Sequence, residues 1–121
     1  MPIEMRTQNS GTVLAVKLVG TLKKEDYPPL MIEFSRLAKE HGKLSVLLDM
    51  SSFEGWDASA LWQEIKFDAK HLAEMDRLAM IGDKRWQEAI ATFGKPFTPA
   101  EIRYFDVEEA PRAHQWITAP K

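Results

Sequence analysis

A chain of 121 residues that is 45% hydrophobic and 28% charged has the size and balance of one globular domain, residues 1–121, long enough to bury a core. Its formal net charge of -2 argues against a dedicated nucleic-acid binder, and the absence of cysteine excludes disulfides, a thiolate nucleophile and Cys-based metal sites, which fits a reducing compartment. No apolar run approaches the ~20 residues that span a bilayer, and Met1–Arg6 lacks the organisation of a signal peptide. The expectation is a cytoplasmic protein whose membrane contact, if any, is peripheral, at the inner face.

In chain order, Ile3–Thr7 and Thr12–Val19 read as strands around the turn-rich Gln8-Asn9-Ser10-Gly11, so the chain should open with an antiparallel hairpin. After Gly20 the period changes. Leu30, Phe34, Leu37, Ala38 and His41 fall on one helical face, Pro28 and Pro29 fit a first turn, and His41-Gly42 supplies a stop. Leu44–Met50 is expected as a strand, Asp57–Leu72 as a helix, Arg77–Gly82 as a strand and Lys84–Phe93 as a helix ended by Gly94-Lys95-Pro96. A last strand, Glu101–Phe105, precedes Asp106, which offers an N-cap with Glu109 three residues on, opening a helix that ends near Ile117 and is interrupted early by Pro111.

Strands alternating with helices imply a mainly parallel sheet with right-handed crossovers. Within the strands, polar residues recur at alternate positions: Lys17 among Val13, Ala15 and Val19, Ser45 and Asp49 beside Leu47, Arg77 beside Ala79, and Arg103 beside Phe105. One sheet face should therefore be only partly covered, with helices largely on the other.

The segments Leu47-Leu48-Asp49-Met50-Ser51-Ser52-Phe53-Glu54-Gly55-Trp56-Asp57, Leu61-Trp62, Lys66-Phe67, Gly82-Asp83-Lys84-Arg85-Trp86-Gln87-Glu88 and Thr98–Phe105 resemble the bacterial SpoIIAA-like family. The resemblance runs from Gly20–Tyr27 to the last helix. It implies the STAS-type α/β fold of anti-sigma-factor antagonists, a β/α superhelix around a mixed, mainly parallel five-stranded sheet. It also implies a small bacterial protein with no established enzymatic reaction. In the antagonists a serine at the start of the helix after the third strand accepts a phosphate, and here the corresponding segment is Asp57-Ala58-Ser59-Ala60-Leu61, which makes Ser59 the candidate phosphorylation site. The motif's first serine and its glycine are replaced, so an ordinary capped first turn stands beside that reading.

Residue chemistry points away from catalysis. His41, His71 and His114 share no ligand-like spacing, and no nucleophile elbow, phosphate loop or dinucleotide fingerprint occurs, so neither catalytic residues nor a metal or other cofactor is expected. Ser51-Ser52, expected at a strand's carboxyl end, reads as a turn or a ligand contact. Gly82-Asp83-Lys84-Arg85 is a candidate anion contact at a helix start, with Asp83 as the competing N-cap. Trp86, Ala89, Ile90 and Phe93 form a stripe expected in the core. The helix expected at Asp57–Leu72 has a core stripe of Ala58, Leu61, Ile65, Ala69 and Leu72, while Ala60 and Phe67 lie nearly opposite, with Trp56 just before it and Lys66, Lys70 and His71 around. The sequence thus assembles a ligand or membrane surface from Trp56, Phe67, Lys66, Lys70, Lys84, Arg85 and Trp86. It suits an amphipathic small molecule or lipid, an anionic membrane surface or a protein partner, a homodimer among them. The runner-up is a phosphorylation-controlled partner switch at Ser59.

Overall fold

The computed structural model of the chain describes residues 3–8, 11–56, 75–94 and 100–119, without the side chains of Lys24, Tyr27, Trp56, Trp86, Ile90, Ala91 and Phe93. Five strands lie in the order of the sequence: β1 (Ile3–Gln8), β2 (Val13–Leu22), β3 (Leu44–Trp56), β4 (Met75–Gly82) and β5 (Glu101–Asp106). β1 pairs antiparallel with β2, and every later pair is parallel, as the hairpin at the start and the alternating elements after it predict. The described helices are α1 (Tyr27–His41), α2 (Arg85–Gly94) and α3 (Ala110–Thr118). The helix expected over residues 57–72 lies outside the described residues.

Strand periodicity sorts the side chains onto two faces. On the first, Leu14, Val16, Leu18, Val46, Met50, Met80 and Ile102 pack with Phe34, Leu37 and Ala38 of α1 in the larger core. On the second, Val13, Leu47, Ala79, Ile81 and Phe105 pack under Ala113 and Ile117 of α3. The register places Glu4, Lys17, Asp49, Ile81 and Phe105 in one row across that second face, and Arg6, Ala15, Leu47, Ala79 and Arg103 in the next. The recurring polar positions therefore share a face, and α3 covers only the part of it over β3, β4 and β5. A depression of about 490 Å³ remains beside it, bounded by His114 of α3 and by Glu4, Arg6 and Lys17.

Local chemistry explains the helix ends and corrects several expectations. In α1, Pro28 and Pro29 occupy the first turn, where a missing N–H costs nothing, and Gly42, at φ +80°, ends the helix with its N–H donated to the Ala38 carbonyl at 2.8 Å. The expected capping box at Asp106 does not form. Val107–Glu109 instead make a 3-10 turn with no side-chain cap, and α3 starts at Ala110 with Pro111 in its first turn, the position proline tolerates. At α2 the Lys84 carbonyl receives the N–H groups of Gln87 and Glu88, so Lys84, not Asp83, holds the N-cap position. Ala89, expected in the core, is exposed, and Gln87 is fully buried in its place.

Candidate functional site

The largest departure from the expected elements builds the end of the molecule where the candidate site falls. β3 does not stop at Met50; it continues through Ser51 and Ser52 to Trp56, so these serines are strand residues and not a turn. Its last pair with β4 is Asp49 with Ile81, after which, among the described residues, β3 pairs with β2 alone, through Val19 with Ser52, Gly20 with Phe53, Thr21 with Gly55 and Leu22 with Trp56. A two-stranded ribbon thus extends beyond β4. Two register shifts bend it, and Gly55, at φ +124°, supplies a backbone conformation that other residues rarely adopt. Phe53, fully buried, anchors it to the first-face core.

Gln87 ties α2 to this ribbon. Its side-chain amide donates to the carbonyls of Met50 at 2.8 Å and Phe53 at 3.3 Å, while its oxygen accepts the Asp83 N–H at 3.0 Å. One amide therefore fixes both the loop after β4 and the start of the ribbon. Gly82 makes room for it: a Cβ there would collide with the Gln87 oxygen and stand 2.9 Å from the Tyr104 hydroxyl. Tyr104 is held above its ordinary ionisation range, chiefly by burial and then by the carboxylates of Asp106, Glu88 and Asp83.

Because β2 to β5 are parallel, their carboxyl ends share one edge of the molecule, the edge where open α/β sheets receive ligands. Asp83, Lys84 and Arg85 follow β4 there, all three exposed, within a turn of the residue that bonds Phe53. The backbone of Trp56 ends the ribbon at the same edge. Phe67, Lys66, Lys70 and Ser59 lie outside the described residues, as do the side chains of Trp56 and Trp86, so Lys84 and Arg85 are the only site candidates whose side chains are described. Two exposed apolar residues lie on elements that follow strands of this sheet. Ile32, 69% exposed in α1, follows the exposed Pro28 and Pro29 of the helix that begins after β2, and Val107, 42% exposed, follows β5 directly. Their helical or loop neighbours do not single them out, because exposure depends on the facing elements and not on local spacing.

Residues 13–118 match the sequence profile of the SpoIIAA-like family. The chain belongs to that family. Its structure is similar to the crystal structure of an uncharacterised protein with a SpoIIAA-like fold from Shewanella loihica PV-4, at a TM-score of 0.77 and 28% identity, covering 95% of this chain and 91% of the other. No curated protein matches the chain. SpoIIAA-like membership and the mixed α/β fold support a non-enzymatic regulatory module in general terms. Among the described residues, no three His, Asp or Glu side chains gather as metal ligands, and no helix is long and apolar enough to cross a membrane.

Proposed function

We propose that this SpoIIAA-like domain is a binding module for an amphipathic anion, such as a lipid or its headgroup at a membrane surface, received at the carboxyl edge of its parallel strands. The observation that supports this most is the pair of exposed cations, Lys84 and Arg85, at the start of α2 on that edge, with exposed apolar residues, Ile32 and Val107, on the elements that follow β2 and β5. Among the described residues neither cation forms an ion pair, so both can attract an anionic headgroup, while the exposed apolar residues offer contact to an acyl or ring portion. Lys66, Phe67 and Lys70 extend the same reading by sequence.

Vesicle flotation tests it. Wild-type protein should float with vesicles containing phosphatidylglycerol and not with phosphatidylcholine alone, and rising salt should weaken the association. Lys84→Glu with Arg85→Glu should abolish it, and Ile32→Glu should reduce it. Retention of a lipid in native mass spectrometry without vesicle binding would favour a soluble lipid ligand. Absence of both would overturn the proposal and leave the partner switch at Ser59, which partner capture by wild type, Ser59→Ala and Ser59→Asp would then test.

A further inference from the structure

The sheet has two outer edges built from the same pattern and finished differently. On β5, Glu101 and Arg103 are two residues apart on the second face and pair with each other, Nε to Oε2 at 3.0 Å. Arg103 also lies over the Trp116 ring at 5.0 Å. Those charges are already engaged. On β1, Glu4 and Arg6 repeat the spacing, exposed on the second face, with the half-buried Met5 between them turned to the first. Among the described residues neither forms an ion pair, and β1 hydrogen-bonds only to β2. Glu4 has Lys17 opposite it in register, but Arg6 has only Ala15.

An outer strand with unpaired N–H and C=O groups templates a further strand, and proteins commonly guard it with charge. Whether a charge pattern guards or recruits depends on what it meets. A two-fold axis perpendicular to the sheet keeps like faces together and must run midway between the two copies of one residue. Between the two copies of Glu4 it would set carboxylate against carboxylate, and between those of Arg6 guanidinium against guanidinium. Between the two copies of Met5 it sets Glu4 against the partner's Arg6 and Arg6 against the partner's Glu4, with Ile3 opposite the partner's Thr7 and the two Met5 side chains together. Opposite charges facing across an antiparallel pair attract, and like charges repel.

We infer that β1 is a homodimerisation edge, with two copies joined antiparallel about a two-fold axis between their Met5 residues into one continuous ten-stranded sheet. The second-face depression explains what the join would do beyond adding strands. Glu4 and Arg6 form its outer wall, so the partner's Arg6 and Glu4 would extend that wall and connect the two depressions across the axis. This edge is separate from Lys84 and Arg85, so dimerisation and anion binding are tested independently.

Sedimentation velocity over a wide concentration range reads the result. Wild-type protein should pass from monomer to dimer, the more weakly the higher the salt. Glu4→Arg and Arg6→Glu, each exposed and each placing like charges in both symmetric contacts, should weaken dimerisation by about tenfold or more while leaving the circular dichroism spectrum unchanged. An equal mixture of the two single variants should form a heterodimer, because one chain then presents only cations and the other only carboxylates. The double variant Glu4→Arg with Arg6→Glu should recover the homodimer. A wild-type monomer up to the solubility limit, a dimer indifferent to the single substitutions, or failure of the mixture to associate would each overturn the proposal.

Discussion

The side-chain amide of Gln87 donates to the carbonyl of Met50 at 2.8 Å, joining α2 to the point where β3 leaves β4. The same nitrogen reaches the Phe53 carbonyl, and the oxygen accepts the Asp83 N–H, so one fully buried side chain bonds three backbone groups from two segments of the chain. The ribbon and the cationic loop consequently depend on each other for position.

Replacing Gln87 by Leu keeps the volume roughly and removes all three bonds. The expected loss is about 2–4 kcal/mol in urea unfolding, because three hydrogen bonds to a fully buried side chain are lost at once. Gln87→Glu separates geometry from polarity. Its carboxylate would point an acceptor at the carbonyls of Met50 and Phe53, so at neutral pH it should destabilise at least as much as Leu, and acidification that protonates it should recover part of the loss. Equal stability of all three proteins would show that the amide is not what holds the ribbon.

Arg77 closes the other face in a comparable way. Its guanidinium donates to the carbonyls of Trp116 at 2.9 Å and Ala119 at 3.0 Å, at the negative end of α3, and lies 5.5 Å from the Trp116 ring, which Arg103 approaches from its own strand at 5.0 Å. Arg77→Met should cost about 1–3 kcal/mol, and Arg77→Lys less, since an ammonium keeps the charge but not the planar fork. Arg103→Met should cost less than Arg77→Met, because Arg103 makes no such bonds to α3. Thermal unfolding of the three variants gives the order directly.

The contrast between these features shows what the amino-acid sequence carries. Alternation of Lys17, Ser45, Asp49, Arg77 and Arg103 with apolar neighbours announces a second face, since side-chain direction in a strand follows from spacing alone. The hairpin, the parallel order and the end of α1 at Gly42 are equally local. The continuation of β3 was hidden because Ser51, Ser52 and Gly55 favour turns, and what keeps them extended is the pairing of residues 52–56 with residues 19–22 of β2. Gln87 was hidden for the same reason: a glutamine on a helix reads as surface until its partners, more than thirty positions earlier in the chain, are known. At the candidate site, Lys84 and Arg85 were legible as exposed cations after a strand. Ile32 and Val107 were not, because nothing in their spacing tells which elements leave them uncovered.

Gly82→Ala tests the fit beneath Gln87. The added methyl would press on the Gln87 oxygen and stand 2.9 Å from the Tyr104 hydroxyl, so a loss of about 1–3 kcal/mol is expected from overpacking. Tyr104→Phe in the Gly82→Ala background should return part of that loss and not all, since it relieves one of the two contacts. Full recovery would place the strain at Tyr104 alone, and none would place it at Gln87.

The alkaline limit of stability should also trace to Tyr104. Its hydroxyl ionises above the ordinary value of 10.0 in the folded protein, because burial disfavours the phenolate and the carboxylates of Asp106, Glu88 and Asp83 repel it. The folded state therefore holds this proton more tightly than the unfolded state. The resulting stability is complete below the unfolded value and is lost as pH rises from there through the raised folded value. Absorbance titration near 295 nm should show one tyrosine ionising late, and that transition should vanish in Tyr104→Phe. Unfolding midpoints measured from neutral pH upward should fall more steeply for wild type than for Tyr104→Phe once the ordinary tyrosine value is passed. Parallel curves for the two proteins would mean that the tyrosine proton contributes nothing to alkaline unfolding.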